Sequence, residues 1–171
     1  MGITKTISVL IPTYNRKVEL KKAIDSILKN NFNEIEVIVY DNCSDDGTKE
    51  MVKSYESSKI EIIYYRQKEN VGPLNNWKSA INVAKGKYIH WLWSDDWVED
   101  NFYRLMYEAV SQESTDIAFC GVKTVCFEDD WKKNTFTYDT KNIPSMKFLK
   151  EYVKGFKYPL SPAACLLRRD H

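Results

Sequence analysis

The chain has 171 residues, of which 43% are hydrophobic and 13% aromatic, a composition typical of one globular domain with a sizeable core. Its formal net charge of +1 lacks the basic excess of proteins that bind the phosphate backbone, so we expect no nucleic-acid partner. No apolar run reaches the roughly 18 residues of a membrane span, and four scattered cysteines without a Cys-x-x-Cys pair argue against zinc and favour a reducing, cytoplasmic location.

The hydrophobic pattern switches repeatedly between strand-like runs and helical spacing. In chain order it predicts a strand at residues 6–12, a helix at 20–28, a strand at 35–41, a helix at 51–55, a strand at 60–65, a helix at 74–84, a strand at 86–93, a helix at 102–112, a strand at 116–127, a helix at 145–153 and a strand at 163–167. This alternation is typical of βαβ units, so we expect an α/β fold with a mostly parallel sheet flanked by helices. No linker interrupts the pattern, which predicts a single domain over residues 1–171.

Some side chains have predicted environments. Asp100 or Asn101 is expected to cap the helix at 102–112, and His90 is expected to be a core histidine with its hydrogen bonds satisfied. Spacing puts four apolar residues on one face of the helix at 74–84: Leu74, Trp77, Ile81 and Ala84. Packing rather than ligand contact is expected for three indoles: Trp91, Trp93 and Trp97.

Three predicted strands end in polar residues that could bind a ligand. These residues are 13–16 (TYNR), 41–42 (DN) and 94–96 (SDD). Parallel strands present their carboxyl ends at one edge of a sheet, where open α/β sheets bind ligands. A nucleotide joined to a diphosphate suits this edge: Tyr14 would stack on the base, Asp41 would accept from a base N–H, and the pair Asp95 and Asp96 would hold a divalent cation.

The cation follows from electrostatics. Two unit negative charges about 4 Å apart repel by roughly 4 kcal/mol at an effective dielectric constant of about 20. A diphosphate beside Asp95 and Asp96 therefore needs a positive charge between them. Mg²⁺ or Mn²⁺ is suitable, because such ions are commonly held by one or two carboxylates plus substrate phosphates.

Each of these features has an alternative interpretation. An Asp-Asp pair after a strand can be a turn and a helix cap, and Tyr14 alone could be a packing residue. Turn formation is the interpretation that we favour for Asp45 and Asp46. Other nucleotide-binding and hydrolase classes lack their motifs, because the chain has no G-x-x-x-x-G-K-[ST], no G-x-G-x-x-G after the first strand and no G-x-S-x-G.

Four segments, in order, resemble the family 2 glycosyltransferases with the GT-A fold. They are residues 8–16 (SVLIPTYNR), 36–48 (EVIVYDNCSDDGT), 70–72 (NVG) and 84–96 (AKGKYIHWLWSDD). The resemblance covers nearly the whole chain and implies a GT-A (Rossmann-like) three-layer sandwich. It also implies transfer of a sugar, with inversion, from a nucleoside diphosphate sugar to an acceptor hydroxyl in polysaccharide or glycoconjugate biosynthesis.

The resemblance also assigns residues to roles. The implied nucleotide-sugar-binding residues are Pro12, Thr13, Tyr14, Asn15, Asp41, Asn70, Gly72 and Asp95. Asp96, with Asp95, would ligate Mg²⁺ or Mn²⁺, and Arg66 or Lys68 would lie near the diphosphate. A UDP-sugar is the expected donor, and a saccharide or a lipid-linked molecule is the expected acceptor.

Two departures from the family pattern matter. Many members carry Asp-x-Asp-Asp, and the position of the first acid is Trp93 here, so the resemblance implies one aspartate fewer at the metal. The family places its general base beyond the strand that residues 163–167 resemble, so we expect the base beyond His171 in a longer protein. Donor binding with little or no transfer is therefore the expectation for these 171 residues.

Two other classes stay open. A non-catalytic nucleotide-sugar-binding module would share these motifs, whereas a sugar nucleotidyltransferase would need a Gly-rich, Arg-containing loop after the first strand, which residues 12–15 do not provide. Residues 141–171 hold seven Lys or Arg against two Asp or Glu. That segment could be a solvated helix face or could support peripheral association with an acidic membrane surface.

Overall fold

A computed structural model describes residues 6–111, 115–120 and 161–169. In these residues a six-stranded sheet has the strand order β3-β2-β1-β4-β6-β5. The strands are β1 (Ile7–Thr13), β2 (Ile35–Asp41), β3 (Glu61–Arg66), β4 (Tyr88–Trp91), β5 (Ile117–Phe119) and β6 (Cys165–Arg168). The helices are α1 (Lys17–Lys29), α2 (Thr48–Lys53), α3 (Pro73–Ile81) and α4 (Phe102–Val110), and a 3₁₀ turn at Pro162–Ala164 precedes β6.

Strands β1 to β4 are parallel, so their carboxyl ends lie at one edge of the sheet. β1 pairs with β2 from Ile7 opposite Ile35 to Thr13 opposite Asp41, which puts the ends of these two strands side by side. β4 pairs with the other side of β1. The predicted mostly parallel sheet is confirmed, with β6 antiparallel to both β4 and β5.

The core explains why β1 and β2 are continuous apolar runs. Side chains on one face of the sheet pack with α1 and α4, and those on the other face pack near α3, in the three-layer arrangement. Ile7, Val9 and Ile11 of β1 belong to the first cluster, and Leu10 belongs to the second. Strands buried on both faces cannot show polar alternation, because neither face meets water.

A buried polar network holds β4 beside β1. The Glu36 carboxylate is fully buried and accepts hydrogen bonds from the Ser8 hydroxyl and from the Lys85 backbone N–H at 2.7 Å. The Gly86 N–H donates to the Ser8 hydroxyl at 2.8 Å. A Cβ at Gly86 would lie 2.5 Å from the Ser8 backbone nitrogen, so only glycine fits this close approach. The network sets the start of the strand that leads to Asp95.

Some predicted boundaries differ from the structure. β4 is shorter than predicted because it stops pairing at Trp91, and β6 begins at Cys165 because Ala163 belongs to the 3₁₀ turn. Only residues 117–119 of the strand predicted at 116–127 form β5 in the described part, and residues 121–127 lie outside it. The helix predicted at 145–153 also lies outside the described residues.

The apolar face predicted for the helix at 74–84 does not pack in the core. Leu74 is 58% exposed and Ile81 is 43% exposed, and α3 ends before Ala84. Its buried residues are Asn76 and Ala80. The reason is a side-chain hydrogen bond: Asn76 donates from Nδ2 to the Tyr40 backbone carbonyl of β2 at 2.8 Å, so the helix meets the sheet through an amide and a small residue.

Two further expectations fail. The N-cap position of α4 is Asn101, but its side chain makes no capping hydrogen bond, and the backbone carbonyl of Glu99 instead accepts from the Phe102 N–H at 3.0 Å. Trp97 is 52% exposed rather than packed. The helix predicted at 20–28 is confirmed as α1, which begins three residues earlier and ends at Lys29 with Asn30 as its C-cap.

Candidate functional site

A cavity of about 510 Å³ opens at the carboxyl edge of the parallel strands, where β1, β2 and β4 end. Five of the predicted site residues line it: Pro12, Thr13, Tyr14, Asn70 and Asp95. Four others do not: Asn15, Asp41, Gly72 and Asp96. Three more lining residues belong to the polar strand ends singled out in the sequence: Arg16, Asn42 and Ser94. The sequence reasoning did not select the remaining lining residues as ligand contacts: Pro73, Asn76, Trp77 and Trp93.

The loop after β1 presents an aromatic ring to the cavity. Tyr14 is 45% exposed at the cavity wall, so its ring is available to a ligand, whereas Thr13 is buried at the end of the strand. Asn15 has a positive φ of 50° and joins this loop to the one after β2. Its N–H donates to the Ser44 hydroxyl at 2.9 Å, and its Oδ1 accepts from the Asp45 N–H at 3.0 Å. Asn15 therefore shapes the loop that carries Tyr14.

Asp46 confirms the turn interpretation for its segment. It accepts from the Lys17 N–H at 2.8 Å, from the Thr48 N–H at 3.1 Å and from the Thr48 hydroxyl at 2.6 Å. These bonds hold the starts of α1 and α2, and they lower the pKa of Asp46 against an opposing effect of burial, which is the largest single contribution. Asp46 thus binds backbone groups rather than the cavity.

Asp41 is fully buried at the end of β2, and its carboxylate is occupied. Oδ1 accepts from the Ser44 N–H at 2.9 Å and from the Ser44 hydroxyl, and Oδ2 accepts from the Tyr64 hydroxyl. Burial, followed by this hydrogen bond, raises the pKa of Tyr64. Asp41 has no exposed surface and does not line the cavity, so its base-binding role stays a prediction.

Two asparagine amides form the far side of the cavity. Asn42 donates from Nδ2 to Asn70 Oδ1 at 2.7 Å, and its own Oδ1 accepts from the Val71 N–H at 2.9 Å. Asn70 Oδ1 also accepts from the Gly72 N–H at 2.9 Å, and Gly72 has a φ of 78° at the start of α3. This explains the Asn-x-Gly motif: the asparagine closes the turn, and the glycine adopts the left-handed backbone.

The adjacent carboxylates Asp95 and Asp96 differ in their surroundings. Asp95 is exposed at the cavity wall and forms an ion pair with Arg16. Asp96 is partly buried, and burial, followed by the negative charge of Asp95, raises its pKa. A nearby cation would relieve that repulsion. The described residues hold no group of three or more His, Cys, Asp or Glu side chains that could bind a metal.

Aromatic rings form the wall beside Asp95. The Trp77 and Trp93 ring centroids are 4.7 Å apart at an interplanar angle of 42°, and Trp91 and Trp93 are 6.4 Å apart and stacked. Trp93 is therefore both a packing residue, as predicted, and a cavity wall. Trp77 lines the cavity, whereas the sequence analysis placed it only on an apolar face of the helix.

Asn76 and Thr13 carry polar atoms with no partner. Asn76 is 2% exposed, and because its Nδ2 donates to Tyr40, its Oδ1 is left as an acceptor without a hydrogen bond. The Thr13 hydroxyl is likewise buried and unpaired. Unpaired buried polar groups cost about 1 to 3 kcal/mol each, so a ligand that supplied partners would recover that free energy. The sequence analysis did not predict that Asn76 is buried, because an analysis of hydrophobic periodicity assigns polar residues to the exposed face of a helix.

Arg66 does not line this cavity. Its Nη2 donates to the Ser44 backbone carbonyl at 3.0 Å, and its Nε lies 4.0 Å from Asp41 Oδ2. It borders a smaller cavity of about 180 Å³ beside the loop after β2. The predicted diphosphate role of Arg66 or Lys68 therefore stays a prediction.

His90 is a core histidine, as predicted. It is fully buried, with Nδ1 3.0 Å from the Tyr103 hydroxyl and Nε2 2.9 Å from the Ala163 backbone oxygen. A carbonyl can only accept, so Nε2 carries the proton, and Nδ1 accepts from Tyr103. Burial lowers the pKa of His90 to about 4, against the opposing effect of the Ala163 carbonyl.

Comparisons with known proteins agree with this geometry. The family model "Glycosyl transferase family 2" matches residues 8–171. The abequosyltransferase RfbV of Salmonella typhimurium is 35% identical over 120 residues, which cover 68% of this chain and 36% of RfbV. The crystal structure of S. aureus TarS 1–349 in complex with UDP-GlcNAc has a TM-score of 0.77 at 23% identity, covering 96% of this chain and 45% of that chain. The mannosyltransferase PcManGT from Pyrobaculum calidifontis, in complex with GDP-Man and Mn²⁺, has a TM-score of 0.62 at 21% identity, covering 69% of this chain and 35% of that chain.

The mostly parallel sheet with its flanking helices has the GT-A fold, which this chain shares with these solved structures. The chain belongs to glycosyl transferase family 2. It spans between 17% and 59% of the length of the curated relatives compared. Within the described residues, no helix is both long enough and apolar enough to cross a membrane.

Proposed function

We propose that this chain is the donor-binding part of a glycosyltransferase that takes a sugar from a nucleoside diphosphate sugar. The observation that carries the proposal is the cavity at the carboxyl edge, which Tyr14 and Asp95 both line although they follow different strands, β1 and β4. Three kinds of support converge: the family membership, the 510 Å³ volume, and relatives that are named glycosyltransferases.

The base is proposed to stack on Tyr14, within a pocket formed by Pro12 and Thr13. The exposed ring supports this, because base stacking on an aromatic side chain is worth about 1 to 3 kcal/mol. UDP is the nucleotide that we favour, since solved GT-A relatives carry UDP and UDP-GlcNAc, and GDP-Man is the alternative that another relative carries. Asn70, which lines the cavity, is proposed to border the nucleotide.

A divalent cation, Mg²⁺ or Mn²⁺, is proposed to be held by Asp96 and Asp95 together with the diphosphate. When bound, such an ion neutralises charge on the departing diphosphate. Burial, followed by the negative charge of Asp95, raises the pKa of Asp96, and a cation held beside the two aspartates would offset that repulsion. The Mn²⁺ complex of PcManGT is consistent with metal use in this fold.

The acceptor is proposed to be a saccharide or lipid-linked hydroxyl that attacks with inversion in a polysaccharide or glycoconjugate pathway, in the cytoplasm or at the cytoplasmic face of the membrane. Deprotonation would fall to a carboxylate beyond His171. The alternative is a module that binds nucleotide sugars without catalysis, which the tryptophan at position 93 favours because it removes an acid near the metal.

Thermal stabilisation by UDP, GDP and dTDP, each with and without Mn²⁺, tests the donor site. We expect UDP to stabilise the wild-type protein most, and to do so less without Mn²⁺. Asp96→Asn should lose the metal-dependent part while melting as a folded protein. Tyr14→Ala should weaken UDP binding about five-fold or more, in line with a stacking contribution of about 1 to 3 kcal/mol. No response to any of the three nucleotides would overturn the proposal.

A further inference from the structure

Arg16 is the cation of the cavity wall. It follows the Tyr14 loop directly and stands at the N-cap position of α1. Among the residues that line the cavity in the described part of the chain, Arg16 alone carries a positive charge. Arg66 is turned away and is bound to the Ser44 carbonyl. Any anion that enters the cavity therefore meets the Arg16 guanidinium first.

Arg16 already has a partner, and that partner is a proposed metal ligand. Its Nη1 donates to Asp95 Oδ2 across 79 residues of sequence. The two side chains are 48% and 51% exposed, so water screens the pair. Exposed ion pairs contribute only about 0 to 1 kcal/mol, and for that reason a stronger partner can replace either member.

Charge balance indicates which partners would do so. A carboxylate binds a hard divalent cation more strongly than it binds a guanidinium. Mg²⁺ and Mn²⁺ carry two positive charges on one small ion that prefers oxygen ligands, whereas a guanidinium spreads one charge over several atoms. A guanidinium presents a planar fork of donors that matches phosphate oxygens two at a time. A metal and a diphosphate arriving together would thus give both Asp95 and Arg16 better partners than each other.

We propose that Arg16 exchanges partners on donor binding: it serves as the counter-ion of Asp95 in the empty cavity and becomes a ligand of the diphosphate when a divalent cation takes Asp95. This rests on the proposed function and deepens it by assigning a diphosphate ligand. In the empty protein Arg16 opposes metal binding. In the presence of a nucleoside diphosphate it adds affinity for the phosphates.

The two halves of the exchange predict effects of opposite sign for one variant. Arg16→Gln keeps a polar side chain and removes the charge. Without nucleotide, Mn²⁺ should bind this variant about two- to five-fold more tightly than wild type, since Asp95 has lost its competitor. UDP in the presence of Mn²⁺ should bind about ten-fold more weakly, whereas uridine, which has no phosphate, should bind equally to both proteins. Arg16→Lys should lie between, because it retains the charge without the fork.

Arg104 provides a matched control. Arg104 Nη1 lies 3.0 Å from Glu108 Oε1 in an ion pair whose side chains are 51% and 60% exposed, away from the cavity. Arg104→Gln should leave the affinities for Mn²⁺, uridine and UDP unchanged. Titration calorimetry or Mn²⁺ electron paramagnetic resonance measures binding without any turnover, and thermal melting verifies that each variant is folded.

The outcomes separate this proposal from the function on which it rests. If wild type binds UDP but Arg16→Gln leaves UDP affinity unchanged, or loses uridine and UDP equally, Arg16 is no diphosphate ligand. A Mn²⁺ affinity that is unchanged or lower in Arg16→Gln would overturn the competition at Asp95. If wild type bound neither UDP nor Mn²⁺, the donor site itself would be wrong.

Discussion

The indole rings of Trp77 and Trp93 lie 4.7 Å apart and form one wall of the cavity. Trp77 comes from α3, and Trp93 follows β4, so the contact ties the helix to the segment that carries Asp95. Trp93 occupies the position at which many family members carry the first acid of Asp-x-Asp-Asp. Here that position contributes packing in place of a negative charge.

Trp93→Asp should raise the affinity for Mn²⁺ and lower the stability of the fold. We expect Mn²⁺ to bind several-fold more tightly in the presence of UDP, because a third carboxylate joins Asp95 and Asp96. The free energy of unfolding should fall by about 1 to 3 kcal/mol, as the contact with Trp77 is lost. Trp93→Phe is the control, with most of the packing kept and no carboxylate added. Calorimetric Mn²⁺ titrations and urea unfolding measure the two effects, and equal metal affinity in both variants would contradict the argument.

Asn76→Ala should lower both stability and nucleotide affinity. Loss of the 2.8 Å hydrogen bond to the Tyr40 carbonyl is expected to cost about 1 kcal/mol of unfolding free energy. UDP affinity should fall by more than the stability change alone explains, because Oδ1 is an unpaired acceptor at the cavity. Asn75→Ala is the matched control, since Asn75 is exposed beside it and does not line the cavity. Unaltered UDP affinity in folded Asn76→Ala would assign Asn76 a purely structural role.

Acid should destabilise the protein through His90. The pKa of His90 is about 4 in the folded chain and about 6.5 in an unfolded one, so between these values the unfolded state binds more protons. His90 therefore does not lower the free energy of unfolding above about pH 6.5. As the pH falls from there towards 4, His90 lowers this free energy by at most about 1.4 kcal/mol per pH unit.

Urea unfolding from pH 7 to pH 4.5 measures this slope. His90→Gln should be less stable than wild type at pH 7, because both the Tyr103 and Ala163 contacts change, but its stability should decline less on acidification. If the variant declined as steeply as wild type, carboxylates elsewhere would account for the acid sensitivity.

Gly86→Ala should be among the most damaging conservative changes. The added Cβ would lie 2.5 Å from the Ser8 backbone nitrogen and 2.8 Å from the Ile7 carbonyl carbon, and strand backbone cannot yield as a flexible side chain does. We expect a loss of about 3 kcal/mol or more in unfolding free energy. At Gly72 a Cβ would meet nothing within 4 Å, so Gly72→Ala should cost only the backbone strain of its φ of 78° and ψ of 160°, about 1 to 3 kcal/mol. Thermal melting compares the two, and a milder effect at Gly86 would show that β1 and β4 can separate.

Much of the fold could be predicted because its signals are local. The runs at β1, β2 and β3 are apolar and bounded by turn residues, and the helices between them imply parallel pairing. The predicted ends of strands were less accurate where a strand stops because its backbone pairing stops and not because its composition changes. The aromatic run continues past Trp91, for example, but the β4 ladder stops there.

Residue order alone predicts the family resemblance, the parallel sheet and the edge at which polar side chains gather, because strand polarity brings the carboxyl ends of β1, β2 and β4 together. It does not predict which atoms at that edge already have hydrogen-bond partners. The folded chain shows that Tyr64 and Ser44 donate to Asp41, that Asn76 turns inward with an unpaired oxygen, and that Arg16 meets Asp95 across 79 residues. Hydrogen bonds and ion pairs depend on distances between remote segments, and the packing of the whole fold sets those distances.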